Sequence, residues 1–379
     1  MENKIELDLA ERSYDIIVES DIGHKYGQLI KEFTKNGKVF VITDDNVAKY
    51  HLEMLEKSLE SAGINFVSII LPHGESTKKF KNLEFLLEEI LSHHPTRNDS
   101  LVAFGGGVIG DITGLTASVL LRGVNFIQIP TTLLSMVDSS VGGKTGINSK
   151  YGKNLIGSFY QPKIVIADTK LLETLPVREL RAGYAEVLKY ALIGDSEFFE
   201  FLENDENPFL NKDIKMDDDF FSFISKIVMV SCKSKADIVN RDEREGGVRA
   251  LLNLGHSFGH ALESEFLYDG RMLHGEAVSI GMSMAFYFSS SNNLCDIDDA
   301  KKASEHLVKT HLPVSLDHID SNINSDDLLK HMMHDKKNLE GNLVLILVKG
   351  IGEAYIEKNV KSDEVKLFLD NYLSGAFRI

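Results

Sequence analysis

The sequence predicts an α/β fold with a largely parallel sheet in its first half and mainly long helices in its second. Three observations carry this. Short, continuous apolar runs alternate with amphipathic helical segments up to about residue 175, the pattern of strands covered on both faces by crossover helices. Glycine-rich stretches follow some of these runs, at the strand ends where ligands of open α/β sheets gather. Past Pro176 helical periodicity takes over, so two domains are expected, residues 1–175 and residues 176–379.

The elements follow in order. KVFVITDD, from Lys38, reads as a buried strand, AKYHLEMLEKSLESAG as a helix ended by Gly63, and NFVSIILP as the next strand. FKNLEFLLEEILSHH is helical, SLVAFGGG is a strand running into glycines, and NFIQIPTT and KIVIAD are further strands. In the second half RELRAGYAEVLKYALI, FFSFISKIVMVSCKSKADIV, the stretch from Arg249 to Leu262 and the segment after His274 are helical. LVLILV and GEAYIEK are two late strands, and Asp217 to Asp219 mark a solvated helix start.

Composition bounds the function. The chain has 379 residues, 43% hydrophobic and 26% charged, ordinary for a globular protein of two domains. A net charge of -16 disfavours nucleic acid and anionic membrane, whose binding needs Lys and Arg against phosphates. A small anion remains possible where basic residues concentrate. Only Cys232 and Cys295 are present, too few for a disulfide framework or a cysteine zinc knuckle, so any metal must use His and carboxylate. The start, MENKIELDLAERSYD, lacks the basic and apolar regions of a signal peptide, and no apolar run is long enough to span a bilayer. A cytoplasmic location is the expectation.

The most informative residues are Arg249, Asn253, His256, His260 and His274. Steps of four, three and four from Arg249 to His260 keep four side chains within about a 60° arc of an α-helix. Leu251, Leu252, Leu254, Phe258, Ala261 and Leu262 cover its other sides, and Gly255 and Gly259 allow another backbone close approach. Such a helix is buried, and its polar stripe lines a cavity where each group must find a partner. Glu186 and Lys189 lie three apart on an amphipathic helix, Glu186 between Ala185 and Val187 as if pointing inward. With His256, His260 and His274 this makes four donors of the kind that bind zinc. Residue spacing leaves open which three do so.

The first half supplies two further patterns. SLVAF runs into Gly105, Gly106, Gly107, Val108, Ile109, Gly110 and Asp111, a GxGxxG pattern between strand and helix that suits a pyrophosphate. No acid follows about 20 residues on to meet a ribose, and Asp44, Glu75 or Lys78 could supply that contact. VDSSVGGKTGIN and GKNLIG place Asp138, Lys144, Lys153 and Asn154 in glycine-rich loops, a cradle for a phosphate-bearing substrate.

Together GGGVIGD, RGVNFIQIPTTLLSMVDSSVGGKTGIN, GKNLIGSFYQP, LPVRELRAGYAEVLKY, KADIV, DEREGGVRALLNLGHSFGHALE and LHGEAV resemble the 3-dehydroquinate synthase family, from about residue 8 to the end. The resemblance implies an N-terminal Rossmann-like parallel-sheet domain and a C-terminal, mainly α-helical metal-binding domain, with NAD and zinc or cobalt in the cleft between them, in a homodimer. It makes Glu186, His256 and His274 the metal ligands and His260 a proton-transfer group. Asp138, Lys144, Asn154, Lys189, Lys235, Arg249, Asn253 and Lys336 or Lys337 would meet substrate, and Arg122 its phosphate across a dimer interface. NAD would meet Asp44, Glu75, Lys78, Gly106, Gly107, Gly110, Asp111, Thr131, Thr132, Lys144 and Lys153.

The implied reaction turns 3-deoxy-D-arabino-heptulosonate 7-phosphate into 3-dehydroquinate, in the shikimate pathway, by transient oxidation, loss of phosphate, reduction and aldol closure. Leu254, Ser257 and the THLPV string depart from the family's commoner residues without removing a chemical group. The rival readings are 2-deoxy-scyllo-inosose or 2-epi-5-epi-valiolone synthesis, a metal-dependent polyol or glycerol-phosphate dehydrogenase, and a nucleotide-binding regulator without turnover.

Overall fold

Apolar runs buried on both faces fix the first half of the chain. The computed structural model describes residues 3–34, 37–266, 271–317, 323–334 and 342–377, in two units. Met1–Pro176 with Met216–Arg244 forms the first, and Val177–Lys215 with Glu245–Ile379 the second. The chain first leaves the opening unit one residue past the expected boundary, but the helix Asp218–Arg241, expected with the second domain, returns to the first.

The first unit is built on β1 (Lys4–Leu7), β2 (Tyr14–Glu19), β3 (Val39–Asp44), β4 (Phe66–Leu71), β5 (Ser100–Gly105), β6 (Asn125–Pro130) and β9 (Ile164–Asp168). Their order in the sheet is β1-β2-β9-β6-β5-β3-β4, parallel throughout except for the edge pair β1–β2. Phe40, Ile42, Leu101, Ala103 and Phe126 pack against Ile109, Ile112 and Leu86 from the crossover helices. From β3 the chain winds outward to β4, and from β5 it winds the other way to β6. The switch point therefore lies between β3 and β5, where the carboxyl ends of neighbouring strands leave a crevice.

Two segments read as glycine-rich loops are paired strands. Lys144–Ser149 (β7) and Gly152–Phe159 (β8) form an antiparallel hairpin with an irregularity between Ile147 and Ser149. The many glycines and the exposed residues of β8 hide the alternation that marks a strand.

The second unit is mainly helical, and among its described residues β10 (Asn342–Val348) and β11 (Ala354–Lys361) form an antiparallel hairpin. Its long helices are Val177–Gly194 and His274–Ser291. The polar stripe is not one α-helix. Val248–Asn253 is a 3-10 turn, Gly255 sits in the left-handed region at φ 79°, and an α-helix begins only at His256. Gly255 must be glycine: a Cβ there would lie 2.7 Å from Met282 N and 2.9 Å from Val278 O. A Cβ on Gly259 would stand 3.0 Å from the Ala277 carbonyl oxygen. The close approach expected of these two glycines is made by the helix His274–Ser291. No described helix is long and apolar enough to cross a membrane.

Candidate active site and metal centre

In the second unit Glu186 and Lys189 project from the helix Val177–Gly194, both fully buried. His256 opens the helix His256–Glu265 and His274 opens the next. Glu276 fixes the latter start: its carboxylate accepts the Leu273 N–H at 2.8 Å and the Arg178 Nε–H at 2.7 Å. The imidazoles of His256, His260 and His274 cluster with ring centres 5.2 to 6.0 Å apart. His260 is exposed, and the other two turn inward.

Glu186 Oε1 lies 3.6 Å from His256 Nε2 and 3.5 Å from His274 Nε2, while Oε2 is paired with the Lys189 ammonium. One ligand atom from each of Glu186, His256 and His274 falls within 4.8 Å of the others. The second nitrogen of each imidazole is committed elsewhere. His256 Nδ1 donates to the Leu254 carbonyl at 3.2 Å, and His274 Nδ1 to Glu263 at 3.1 Å. Such contacts fix each ring's orientation and point its Nε2 into the cluster, as around a bound metal.

The ionisation directions agree. Burial, then the Lys189 charge, drives His256 well below its usual range, so its ring is neutral. Burial also opposes charge on His274, but Glu263 and Glu186 outweigh it and carry that ring up to about 10. In the metal-free protein a proton on His274 thus stands where a cation would balance two carboxylates. One carboxylate and two imidazoles are a zinc-type donor set, and the residues fit the expected group.

Arg249 is buried on the 3-10 turn, and Asn253, four residues on, donates from Nδ2 to Glu245 at 2.8 Å. Residues 336 and 337, the candidate lysines Lys336 and Lys337, lie outside the described residues. Glu263 and Glu245 escaped the sequence reading. Glu263 left one signal: a buried acid in an apolar helix, seven residues from His256 and hence on its face.

In the first unit the expected cofactor residues sit at the carboxyl ends of adjacent strands. Asp44 closes β3 and accepts the Asn46 and Val47 N–H groups at 2.9 and 3.0 Å, capping a short helical turn. Glu75 opens the turn after β4, and Lys78 follows it, nearly buried. Gly106 caps the helix Gly107–Val119 directly after β5, with Gly110 and Asp111 in its first turns. Added Cβ atoms on Gly107 and Gly110 would come within 2.9 Å of Ser139 Oγ and 2.8 Å of Gln128 Oε1. Thr131 and Thr132 follow β6. The helix N-terminus at the switch point is suited to a pyrophosphate.

Lys78 Nζ donates to Asp111 Oδ2 and Asn154 Oδ1, each at 2.5 Å. Burial pushes the Asp111 carboxyl up and Lys78 pulls it back. Lys144 begins β7 and is exposed, and Lys153 and Asn154 lie on β8. Lys235 reaches Asp138 with bonds of 2.7 Å to its carbonyl and 2.6 Å to Oδ1. Cys232 on the same helix is buried, its thiol pushed up to about 12 by that burial, and chemically quiet. Arg122 is exposed on a turn where Leu121, Arg122 and Gly123 have φ of 49°, 69° and 118°.

Comparison with known proteins matches both halves. Residues 68–182 fit the family model for the 3-dehydroquinate synthase N-terminal region, and residues 183–338 that for its C-terminal region. A 3-dehydroquinate synthase from Rhizobium meliloti is 50% identical over 371 residues, covering 97% of this chain and 96% of its own. Among solved structures, a 2-epi-5-epi-valiolone synthase from Streptomyces hygroscopicus with NAD+ and Zn2+ bound is similar, with a TM-score of 0.85 and 27% identity over 97% of this chain and 99% of that one. A 2-deoxy-scyllo-inosose synthase complexed with carbaglucose-6-phosphate, NAD+ and Co2+ shares the fold, with a TM-score of 0.79 at 24% identity, covering 97% and 99%. With half its residues shared along nearly its whole length, and the charged groups assembled as described, the chain belongs to the 3-dehydroquinate synthase family.

Proposed function

We propose that the chain closes 3-deoxy-D-arabino-heptulosonate 7-phosphate to 3-dehydroquinate with loss of phosphate, using NAD and a zinc or cobalt ion held by Glu186, His256 and His274. The observation that carries this reading is the convergence of a buried carboxylate and two imidazole nitrogens within 4.8 Å. When bound, the metal supplies Lewis acidity and the nicotinamide a reversible hydride acceptor.

The chain's own groups do the rest. His260, exposed beside the two liganding rings, takes a proton from the substrate hydroxyl and returns it. Lys189 and Arg249, buried cations, and Asn253 stabilise developing negative charge on substrate oxygens. Lys144, Asn154 and Lys235 hold substrate, with Asp138 beside the reacting hydroxyl. Asp44, Glu75, Lys78, Asp111, Thr131, Thr132, Lys144 and Lys153 bind NAD with the backbone at Gly106, Gly107 and Gly110. The positive φ angles at Leu121 and Arg122 support a binding role for the guanidinium, since such strain persists where structure enforces it. That role is to meet the phosphate in a cytoplasmic homodimer.

The test is incubation of metal-loaded protein and NAD with heptulosonate 7-phosphate, glucose 6-phosphate and sedoheptulose 7-phosphate in turn. Phosphate release and 3-dehydroquinate are expected from the first alone, with no net gain of NADH absorbance. Another carbocycle would assign a sister cyclase, and stoichiometric NADH a dehydrogenase.

A further inference from the structure

Asn148 has no part in the chemistry above, yet its backbone and side chain reach three of the residues proposed to bind cofactor or substrate. The irregularity between Ile147 and Ser149 releases its backbone from the hairpin ladder, and its N–H donates to the Lys78 carbonyl at 2.7 Å. Its Nδ2 donates to Glu75 Oε1 at 2.6 Å, and its Oδ1 accepts the Asn154 N–H at 2.9 Å. Lys78 Nζ closes the circle on the Asn154 side chain. Asn154 has a left-handed backbone, φ 55°, and the bond from its N–H to Asn148 helps hold it there.

We propose that Asn148 is a positioning residue for the NAD site, tying the turn that carries Glu75 and Lys78 to the β7–β8 hairpin so that both present their polar groups in one arrangement. The inference rests on the reading of Glu75 and Lys78 as NAD contacts. An amide is the side chain the place demands, since it must donate to a carboxylate and accept from an N–H at once. Aspartate would keep the second bond but set a carboxylate against Glu75. Alanine would lose both.

The experiment measures NAD dissociation constants by calorimetry on the full-length, metal-loaded protein, together with kcat at saturating NAD, metal content and unfolding temperature. Asn148→Ala is expected to weaken NAD binding about tenfold, and Asn148→Asp more, about a hundredfold, the scale of losing a charge-assisted bond and of adding repulsion. The loss should fall mainly on NAD affinity, with metal content retained. In a Glu75→Gln background Asn148→Asp should cost several-fold less, because the amide introduced by Glu75→Gln can donate to the new carboxylate. Should Asn148→Ala lose its fold, this pair decides the matter, since it keeps the contact. Equal cost of Asn148→Asp in both backgrounds, or NAD binding by Asn148→Ala and Asn148→Asp within about twofold of wild type while Glu75→Gln weakens it, overturns the proposal. If Glu75→Gln binds NAD as wild type does, the reading of Glu75 is itself wrong and the inference falls with it.

Discussion

Each unit buries a carboxylate, and the two are handled in opposite ways. Asp168, at the end of β9 in the first unit, accepts the N–H groups of Asp21, Ile22 and Lys170 at 2.8, 3.1 and 3.1 Å and the Tyr26 hydroxyl at 2.9 Å. Its oxygens are served by donors, so it needs nothing more. Glu186, in the second unit, faces one ammonium and two imidazole nitrogens whose rings have given their Nδ1 hydrogens elsewhere. A proton on His274 holds the place of a cation there, and once it is displaced two imidazole lone pairs and a carboxylate converge on one point. Burial of charge alone therefore does not mark a site; a site is marked where displacing a proton leaves neighbours that offer electron pairs.

Neutralising each carboxylate at nearly constant size puts that contrast under the greatest strain. Glu186→Gln removes the one charged ligand of the three, and we expect loss of bound metal by elemental analysis and turnover below detection, with the fold retained by circular dichroism. Asp168→Asn replaces one acceptor oxygen by a donor that confronts N–H groups. It should cost about 1 to 3 kcal/mol of stability in denaturant titration while keeping its metal. If Asp168→Asn lost metal and Glu186→Gln kept it, the two roles would be reversed.

How far these roles were legible beforehand varies by region for physical reasons. Parallel strands β3, β5, β6 and β9 are buried on both faces and appear as nearly uninterrupted apolar runs, while the edge strand β4, with Ile70 exposed, is still marked by the apolar run NFVSIILP. β7 and β8 hold Gly146, Gly152 and Gly157 and keep an exposed face, so local pattern alone gave loops. The stripe from Arg249 to His260 has α-helical spacing, yet the backbone reaches the cluster by a 3-10 turn and a left-handed Gly255. Spacing constrained which side chains are neighbours in sequence without fixing the path between them. Glu263 and Asn148 act through partners distant in the chain, His274 and Glu75, and no local period reports such pairs.

Glu263 tests whether the lone-pair argument extends beyond the ligands. It accepts the His274 Nδ1 hydrogen at 3.1 Å, on the side of that ring away from Glu186. Glu263→Gln can still accept that hydrogen but without full charge, which lowers the basicity of the far nitrogen. Metal affinity measured by chelator competition should fall about 10- to 100-fold, with metal restored at high concentration. Unchanged affinity would confine Glu263 to packing.

The smallest effect concerns a buried ionisable group of the second unit that resembles Asp168 more than Glu186. Asn207 Nδ2 donates to the Tyr184 hydroxyl at 2.8 Å, so that hydroxyl gives its hydrogen to His306 Nε2 at 2.9 Å. The imidazole must then be neutral, and burial, aided by the charges of Lys309 and Lys302, holds it down at about 4. In the unfolded chain the same ring takes up a proton near pH 6.5. Between these values the unfolded state binds more protons, so the contribution to stability is complete above pH 6.5 and is lost as pH falls towards 4. At pH 5.5 the loss relative to pH 7.5 is about 1 kcal/mol. Denaturant titrations of wild type and His306→Gln at both pH values should show wild type falling by that much more than the variant. An equal fall in the two would mean that His306 is solvated or already charged in the folded protein. The distinction between buried groups satisfied by donors and those awaiting a cation would then fail at this position.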